Sequence, residues 1–396
     1  MSNKFSNPKN AGMSKTHLHN LAQLTHSWIR PDLHQAIVMQ VARNGYTIFE
    51  KAIGDLTPNS DAQPVQQDTI YPIASLSKVF TATTIMSLVE DGLISTHNSV
   101  QDYIPDFLGT DKDKVRVWNL LTHTIGGHSM EEMDSLSSRL ADKVSSLPPA
   151  PDNQHPKIHE FLSLGYDVPL SRKPGTVVIY SNYGFELLGE IVRIVSGVPL
   201  ATYFEERICK PLGMVDTHFI LPEEKEGRVV RRPGSAAYAD AKEIFCKGVG
   251  VESQFRIPWA SAGAFSTTRD LVTFGQMFLN SGNHNGEQVL SKATVDYMTR
   301  NQTPGLGDGD RDESLLDGSR GIGWDIPGTK RDLMYANLYS SNTYGHSGAG
   351  GSLLWIDPTY NLVGVFLSIE LTVRPDGQRS WAADRFVNAV TASVIN

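Results

Sequence analysis

The chain has 396 residues, 40% hydrophobic and 20% charged, with a formal net charge of −8 and a pI near 5.8. That length suits one large domain or two interlocked ones, and the acidic balance argues against nucleic acid or an anionic membrane as a partner. Two cysteines, Cys209 and Cys246, exclude a disulfide framework and read as free thiols of a reducing compartment.

The first twenty residues, MSNKFSNPKNAGMSKTHLHN, show neither an apolar core nor a small-residue cleavage site. They do not read as a secretory signal, and residues 1–15 read as a disordered tail. No run of 18 apolar residues occurs, so no membrane span is expected and the cytoplasm is the expected location. Residues 17–29 read as a short amphipathic helix. AIVMQVARNGYTIFEKAIG then places two apolar runs around Asn44-Gly45, a strong hairpin signal. The polar stretch 56–70 reads as loop.

SLSKVFTATTIMSLVEDG, starting at Ser75, reads as a buried helix stopped at Gly92. LLTHTIGG, 120–127, turns from helix into a Gly-rich loop, and 129–170 reads as a polar, Pro-rich excursion. NYGFELLGEIVRIVSG gives a helix over 182–196 with Gly197 as its stop, and Pro199 opens another. Residues 222–255 are charged and irregular. A Ser/Thr cap precedes a helix from about 268, and GDGDRDE at 307–313 reads as loop. GSLLWIDP and LVGVFLSIE read as strands around a TYN turn, before a closing helix over 380–393.

Strands therefore gather at both ends of the chain. The expected fold is mixed α/β (α+β): one antiparallel sheet from N- and C-terminal strands, flanked by helices, with a mostly helical insert. The expected division is 16–80 and 255–396 for the sheet part and 81–254 for the helical part. No fixed-period repeat is visible.

Chemistry enters at YPIASLSKVF, 71–80. A lysine in an apolar run is costly unless its charge or proton is used. Residues three apart share a helix face, so Ser75 and Lys78 meet at a helix N-terminus, where developing negative charge is favoured. A desolvated lysine there loses basicity and becomes a proton acceptor for a serine nucleophile. The competing reading is a helix cap with a stray lysine. The bare S-x-x-K pattern is weak, since Ser6 and Lys9 satisfy it as well.

Two further motifs follow in order: Tyr180-Ser-Asn182 and His346-Ser347-Gly348. Tyr335-Ala-Asn337 and His284-Asn-Gly286 fit the same patterns, but Tyr180 leads into a helix and His346 into a Gly-rich strand entry. With LLTHTIGG, RICKPLGM and SAGAFSTTRDL, the chain over residues 20–393 resembles the serine β-lactamase and penicillin-binding-peptidase superfamily. The nearest branch is that of class C β-lactamases, D-alanyl-D-alanine carboxypeptidases and family VIII carboxylesterases. The resemblance implies that Ser75 forms an acyl-enzyme, that Lys78 and Tyr180 share the proton work, and that Asn182 binds substrate or holds Lys78. It also implies an oxyanion hole from the Ser75 and Ala349 N–H groups, with Gly348 allowing close approach of substrate.

His346 is a departure. The β-lactamases of this branch carry a lysine there, whereas a histidine of ordinary pKa, about 6.5, is largely neutral at pH 7. The expectation is therefore a serine hydrolase acting on a small-molecule ester, amide or lactam, foremost a carboxylesterase. Amidase or D-amino-acid peptidase, acyltransferase and weak β-lactamase activities stand behind it. A ligand-binding homologue is the non-enzymatic alternative. No metal or cofactor is expected, and oligomeric state is not readable.

Several other features are set aside. His123 reads as a structural histidine that ties a loop. The N-terminal histidines make no zinc pattern, and Asp308, Asp310 and Asp312 lack the glycine and glutamate of a calcium loop. No G-x-S-x-G elbow, Walker A or dinucleotide fingerprint occurs. Tyr166, Tyr238, Phe255 and Trp259 are candidate walls of an acyl pocket.

Overall fold

The computed structural model describes residues 7–59, 62–129, 131–133, 144, 146–233, 256–309, 317–330, 336–372 and 381–395. Its first strands form the expected hairpin: β1 (His34–Arg43) and β2 (Tyr46–Gly54). The turn places Asn44 and Gly45 at φ of 53° and 80°, the left-handed pair that a two-residue hairpin requires. Further along lie β3 (Tyr71–Pro72) paired with β4 (Phe265–Ser266), and a small hairpin of β5 (Asn283–His284) and β6 (Glu287–Gln288). The last strands are β7 (Tyr344–Gly348), β8 (Ser352–Asp357) and β9 (Leu362–Glu370).

Among the described residues the main sheet has the order β2-β1-β9-β8-β7, antiparallel throughout. Strands from the two ends thus lie side by side. Alternation along β1 sends Ile37, Met39 and Val41 to one face, and Val38 and Ala42 to the other. The first face is covered by the helices Lys15–Leu24 and Trp381–Ala392, with Trp28, Trp355, Phe366 and Phe386 beneath them. The second packs on the Thr268–Leu279 helix and the larger core of the helical part.

The Ser77–Glu90 helix is the spine of that part. Every side chain from Ser77 to Leu88 is buried, as an element surrounded by protein requires. Two of its hydroxyls are satisfied locally: Thr83 and Thr84 donate to the carbonyls one turn back, at 2.7 and 2.9 Å. The Asn182–Ser196 helix packs across it, ended by Gly197 in the left-handed conformation.

Three expectations change. Within the tail expected over 1–15, Pro8–Ala11 make a 3-10 turn, and Ala11 and Met13 are buried. Arg43 explains this, its guanidinium donating to the Ala11 and Gly12 carbonyls at 2.6 and 2.7 Å. Part of the 129–170 excursion is a helix, Pro156–Gly165, with proline in its first turn and the Tyr183 hydroxyl donating to Leu162 O at 2.7 Å. His346-Ser347-Gly348 leads through the glycine turn into β8 as expected, and itself lies within β7, at the edge of the sheet. The boundary drawn between 80 and 81 falls inside the continuous Ser77–Glu90 helix.

Candidate active site

Ser75 does not open the α-helix but lies two residues before it. Ala74–Leu76 form a 3-10 turn that leads into the Ser77–Glu90 helix, and Ala74 has a φ of 47°. A left-handed alanine is uncommon and costs energy, so the turn needs outside support. Ser77 Oγ donates to Ala74 O at 2.6 Å and accepts from Ala264 N at 2.9 Å. Ser352 of β8 donates to Ile73 O at 2.7 Å.

Lys78 is fully buried, and its Nζ lies 3.3 Å from Ser75 Oγ, 2.7 Å from Asn182 Oδ1 and 3.0 Å from the Ser261 carbonyl. Burial pushes its pKa down to about 7; Glu186 opposes this and Arg320 adds to it. A neutral amine has two N–H bonds and one lone pair. Asn182 and Ser261 accept the two hydrogens, which leaves the lone pair for the Ser75 hydroxyl.

Asn182 is the first residue of its helix, behind the cap Ser181, whose Oγ accepts from Gly184 N. One turn on, buried Glu186 accepts from Ala260 N at 3.0 Å and Ser261 N at 2.9 Å. Thr81 donates to Ala260 O at 2.7 Å. Glu186 and Thr81 thus hold the segment that offers Ser261 O to the lysine.

The Tyr180 ring centre is 4.7 Å from Lys78 Nζ. Its ring stacks on His123, centroids 4.4 Å apart and planes 25° from parallel. His123 Nδ1 accepts from Ser181 N at 3.1 Å, so its remaining hydrogen is on Nε2. His123 ties the loop before the helix, as its sequence setting suggests.

His346 is buried beside this group, its ring centre 6.5 Å from that of Tyr180. Its Nδ1 is 2.7 Å from Ser347 O; a carbonyl only accepts, so the hydrogen is on Nδ1 and Nε2 carries a lone pair. Burial pushes its pKa down to about 3, with Asp325 opposing and Lys78 and Arg320 adding to the effect. His346 is a neutral residue, not a cation. At Gly348 a Cβ would stand 2.1 Å from Ile73 O and 2.3 Å from Ser352 Oγ, so only glycine lets β7 lie against the turn before Ser75. Ser347 is buried, and Ala349 is exposed in the turn that follows.

The eight residues singled out in sequence therefore gather on the Ser75 turn, the head of the Asn182 helix and β7. Of the decoys, His284 lies in the β5-β6 hairpin, and Tyr335 falls outside the described residues. Of the pocket candidates, Trp259 is buried edge-on to Phe161 at 5.6 Å, immediately before Ala260. Tyr166 ends the Pro156–Gly165 helix, and Tyr238 and Phe255 lie outside the described residues.

Four contributors escaped the sequence reading: Glu186, Ser261, Arg320 and Asp325. Glu186 had a signal, an acid one turn after Asn182 on a helix with a strong apolar face. Ser261 acts through its backbone carbonyl, which leaves no mark in side-chain chemistry.

An antiparallel sheet with an edge strand beside a Ser–Lys–Tyr group built on a buried lysine defines a serine hydrolase of the β-lactamase fold. The family model described as Beta-lactamase matches residues 27–389, and the chain belongs to that family. A protein of Salmonella agona (strain SL483) provisionally named a D-alanyl-D-alanine carboxypeptidase is 27% identical over 91% of this chain and 84% of its own. Two solved structures share the fold. A penicillin-binding protein homologue from Caulobacter crescentus has a TM-score of 0.73 at 21% identity, covering 96% of this chain and 99% of that one. A family VIII carboxylesterase has a TM-score of 0.72 at 18% identity, covering 96% and 97%.

Proposed function

We propose that this protein is a carboxylic ester hydrolase acting on small-molecule esters through an acyl-enzyme on Ser75. The observation that carries the mechanism is the buried Lys78 amine, held by Asn182 Oδ1 and Ser261 O within hydrogen-bond distance of the Ser75 hydroxyl. Ser75 Oγ attacks the ester carbonyl carbon as its proton passes to Lys78, directly or through Tyr180. The N–H groups of Ser75 and Ala349 receive the charge that develops on the carbonyl oxygen. The carbon–oxygen bond to the alcohol breaks, and the alcohol leaves with the proton. Water then attacks the acyl-serine by the same route in reverse and releases the acid.

The preference for esters rests on His346. A buried, neutral imidazole gives no fixed charge to the carboxylate of a β-lactam or a peptide C-terminus, and a neutral ester needs none. The structural likeness to a family VIII carboxylesterase and to a hydrolase with promiscuous acyltransferase activity supports this reading. A second reading, cleavage of an amide at a D-amino acid, is favoured by the name its Salmonella relative carries.

Short p-nitrophenyl esters, D-alanyl amides and nitrocefin, assayed together with intact-mass detection of the acylated chain, separate these readings. Ester turnover with an adduct on Ser75, lost in Ser75→Ala, is the expected result. Rapid nitrocefin turnover without ester cleavage reverses the ranking, and full ester activity in Ser75→Ala removes Ser75 from the mechanism.

A further inference from the structure

We infer that Glu186 is a positioning residue for catalysis: its buried carboxylate is the counter-charge for the ammonium that Lys78 becomes on taking the serine proton, and it steadies the carbonyl that aims that amine. This rests on the ester-hydrolase reading and names a residue outside all three motifs.

Glu186 lies one helical turn after Asn182, on the same face of the Asn182–Ser196 helix, and is 1% exposed. Asn182 Oδ1 meets Lys78 Nζ directly, at 2.7 Å. Glu186 meets the neighbouring segment instead, Oε2 accepting from Ala260 N at 3.0 Å and Oε1 from Ser261 N at 2.9 Å. Ser261 O in turn accepts from Lys78 Nζ at 3.0 Å, so a single residue links the carboxylate to the amine. Gly189 lets the helix press against this segment: a Cβ there would stand 2.7 Å from that of Ala260. Thr81, one turn after Lys78, donates to Ala260 O at 2.7 Å and holds the same segment without charge.

Both oxygens of an ionised carboxylate accept and neither donates, which is what two backbone N–H groups ask of Glu186. Burial raises its pKa, and the hydrogen bonds from Ser261 and Ala260 and the charge of Lys78 oppose that. In acylation Ser75 Oγ bonds the carbonyl carbon, the carbonyl π pair moves to its oxygen, and the hydroxyl proton goes to the Lys78 lone pair. The result is an oxyanion and a fully buried ammonium, costly without an anion nearby. Among the described residues, Glu186 is the carboxylate whose charge acts on Lys78. It stabilises the ammonium and not the neutral amine, so its effect grows toward the transition state.

The other charged and titratable groups are the same with or without Glu186 and cancel when the two proteins are compared. Around Lys78 these are Arg320, His123, His346 and Tyr180. Arg320 pairs with Asp325, which also takes Lys330, and Lys330 faces Asp317. Around the Asn182 helix, Glu190 pairs with Arg193, Lys157 with Glu160, His159 bonds Gln154 and Pro148 O, and Tyr203 turns to Asp91. The Val117–Leu121 helix brings no titratable side chain.

The test is the pH profile of kcat/KM on p-nitrophenyl acetate, an uncharged ester. In Glu186→Gln the lysine loses its counter-charge and becomes a weaker base. The acid limb therefore moves down by about one pH unit, and the plateau falls by about tenfold. Glu186→Asp keeps the charge and the limb. Thr81→Val loosens the same segment without changing charge, so its limb stays as well. A limb that stays or rises in Glu186→Gln overturns the proposal, as does a plateau that does not fall. The same downward shift in Thr81→Val overturns it too, because loosening alone then moves the limb. If Glu186→Gln does not fold, infrared pH-difference spectra of the natural protein carrying isotope-labelled glutamate read the charge directly. No glutamic-acid band is expected at the pH of the plateau, and one present there is equally fatal. Absence of Ser75-dependent ester turnover in the natural protein is a different failure, that of the ester-hydrolase reading.

Discussion

Among the described residues two lysines are buried, Lys78 and Lys112, and they do different things. Lys78 is in the Ser77–Glu90 helix beside the nucleophile, and Lys112 is in a 3-10 turn of the helical part. Burial lowers both, Lys78 to about 7 and Lys112 to about 8, the latter opposed by Asp167. Lys112 Nζ donates to Tyr166 O at 2.6 Å and sits 4.7 Å over the Phe107 ring, where it holds the end of the Pro156–Gly165 helix. Lys78 instead touches a serine hydroxyl, with two acceptors fixing the direction of its lone pair. Desolvation makes an amine a potential base in either place; only a hydroxyl in reach makes it a catalytic one.

Replacing each lysine by methionine breaks the comparison most sharply. Lys78→Met lowers ester kcat/KM by about 10³-fold. Its urea-unfolding free energy changes by about 1 kcal/mol, since one buried cost and two hydrogen bonds go together. Lys112→Met should keep kcat/KM within about twofold and lose about 1–3 kcal/mol of stability, because the Tyr166 carbonyl is left without its donor. The two variants exchanging these effects in ester assays and urea melts would undo the distinction.

Tyr180→Phe comes next. It keeps the ring stacked on His123 and removes only the hydroxyl, so kcat should fall by about 10²-fold with KM little changed in steady-state kinetics. A third expectation concerns pH. The base form of Lys78 fills as pH rises through about 7, so kcat/KM should climb with an acid limb near there. Lys112→Met should leave that limb in place.

The smallest effect is on stability. Lys112 is depressed from 10.5 to about 8, so between those values the unfolded chain holds more proton than the folded one. Stability therefore rises with pH across that window, and Lys112→Met should flatten the part of the rise that is its own, read as urea midpoints at several pH values.

How much of this was legible follows from the kind of signal each part leaves. The hairpin at Asn44-Gly45 and the helix from Asn182 to Gly197 are written in turn chemistry and periodicity, and both formed as read. Ser75, Lys78, Tyr180 and Asn182 stood in short motifs that the fold brings together. Arg320 and Asp325 did not, because their meeting depends on a glycine loop closing against Ala82 and on β7 pairing with Asp325. The structure of residues 8–13 was hidden likewise: PKNAGM is polar and proline-bearing, and the Arg43 guanidinium and Ile395 N–H that donate to its carbonyls lie far along the chain.

The strand order has a consequence for how the chain is made. β1 leaves one edge open until β9 arrives, residue 41 waiting for residue 364. The hairpin is made long before β9 and is an unfinished, apolar ribbon until then. Such distant pairing predicts slow refolding and a need for chaperone shelter during translation, while the helices that follow collapse early on their own nearby contacts.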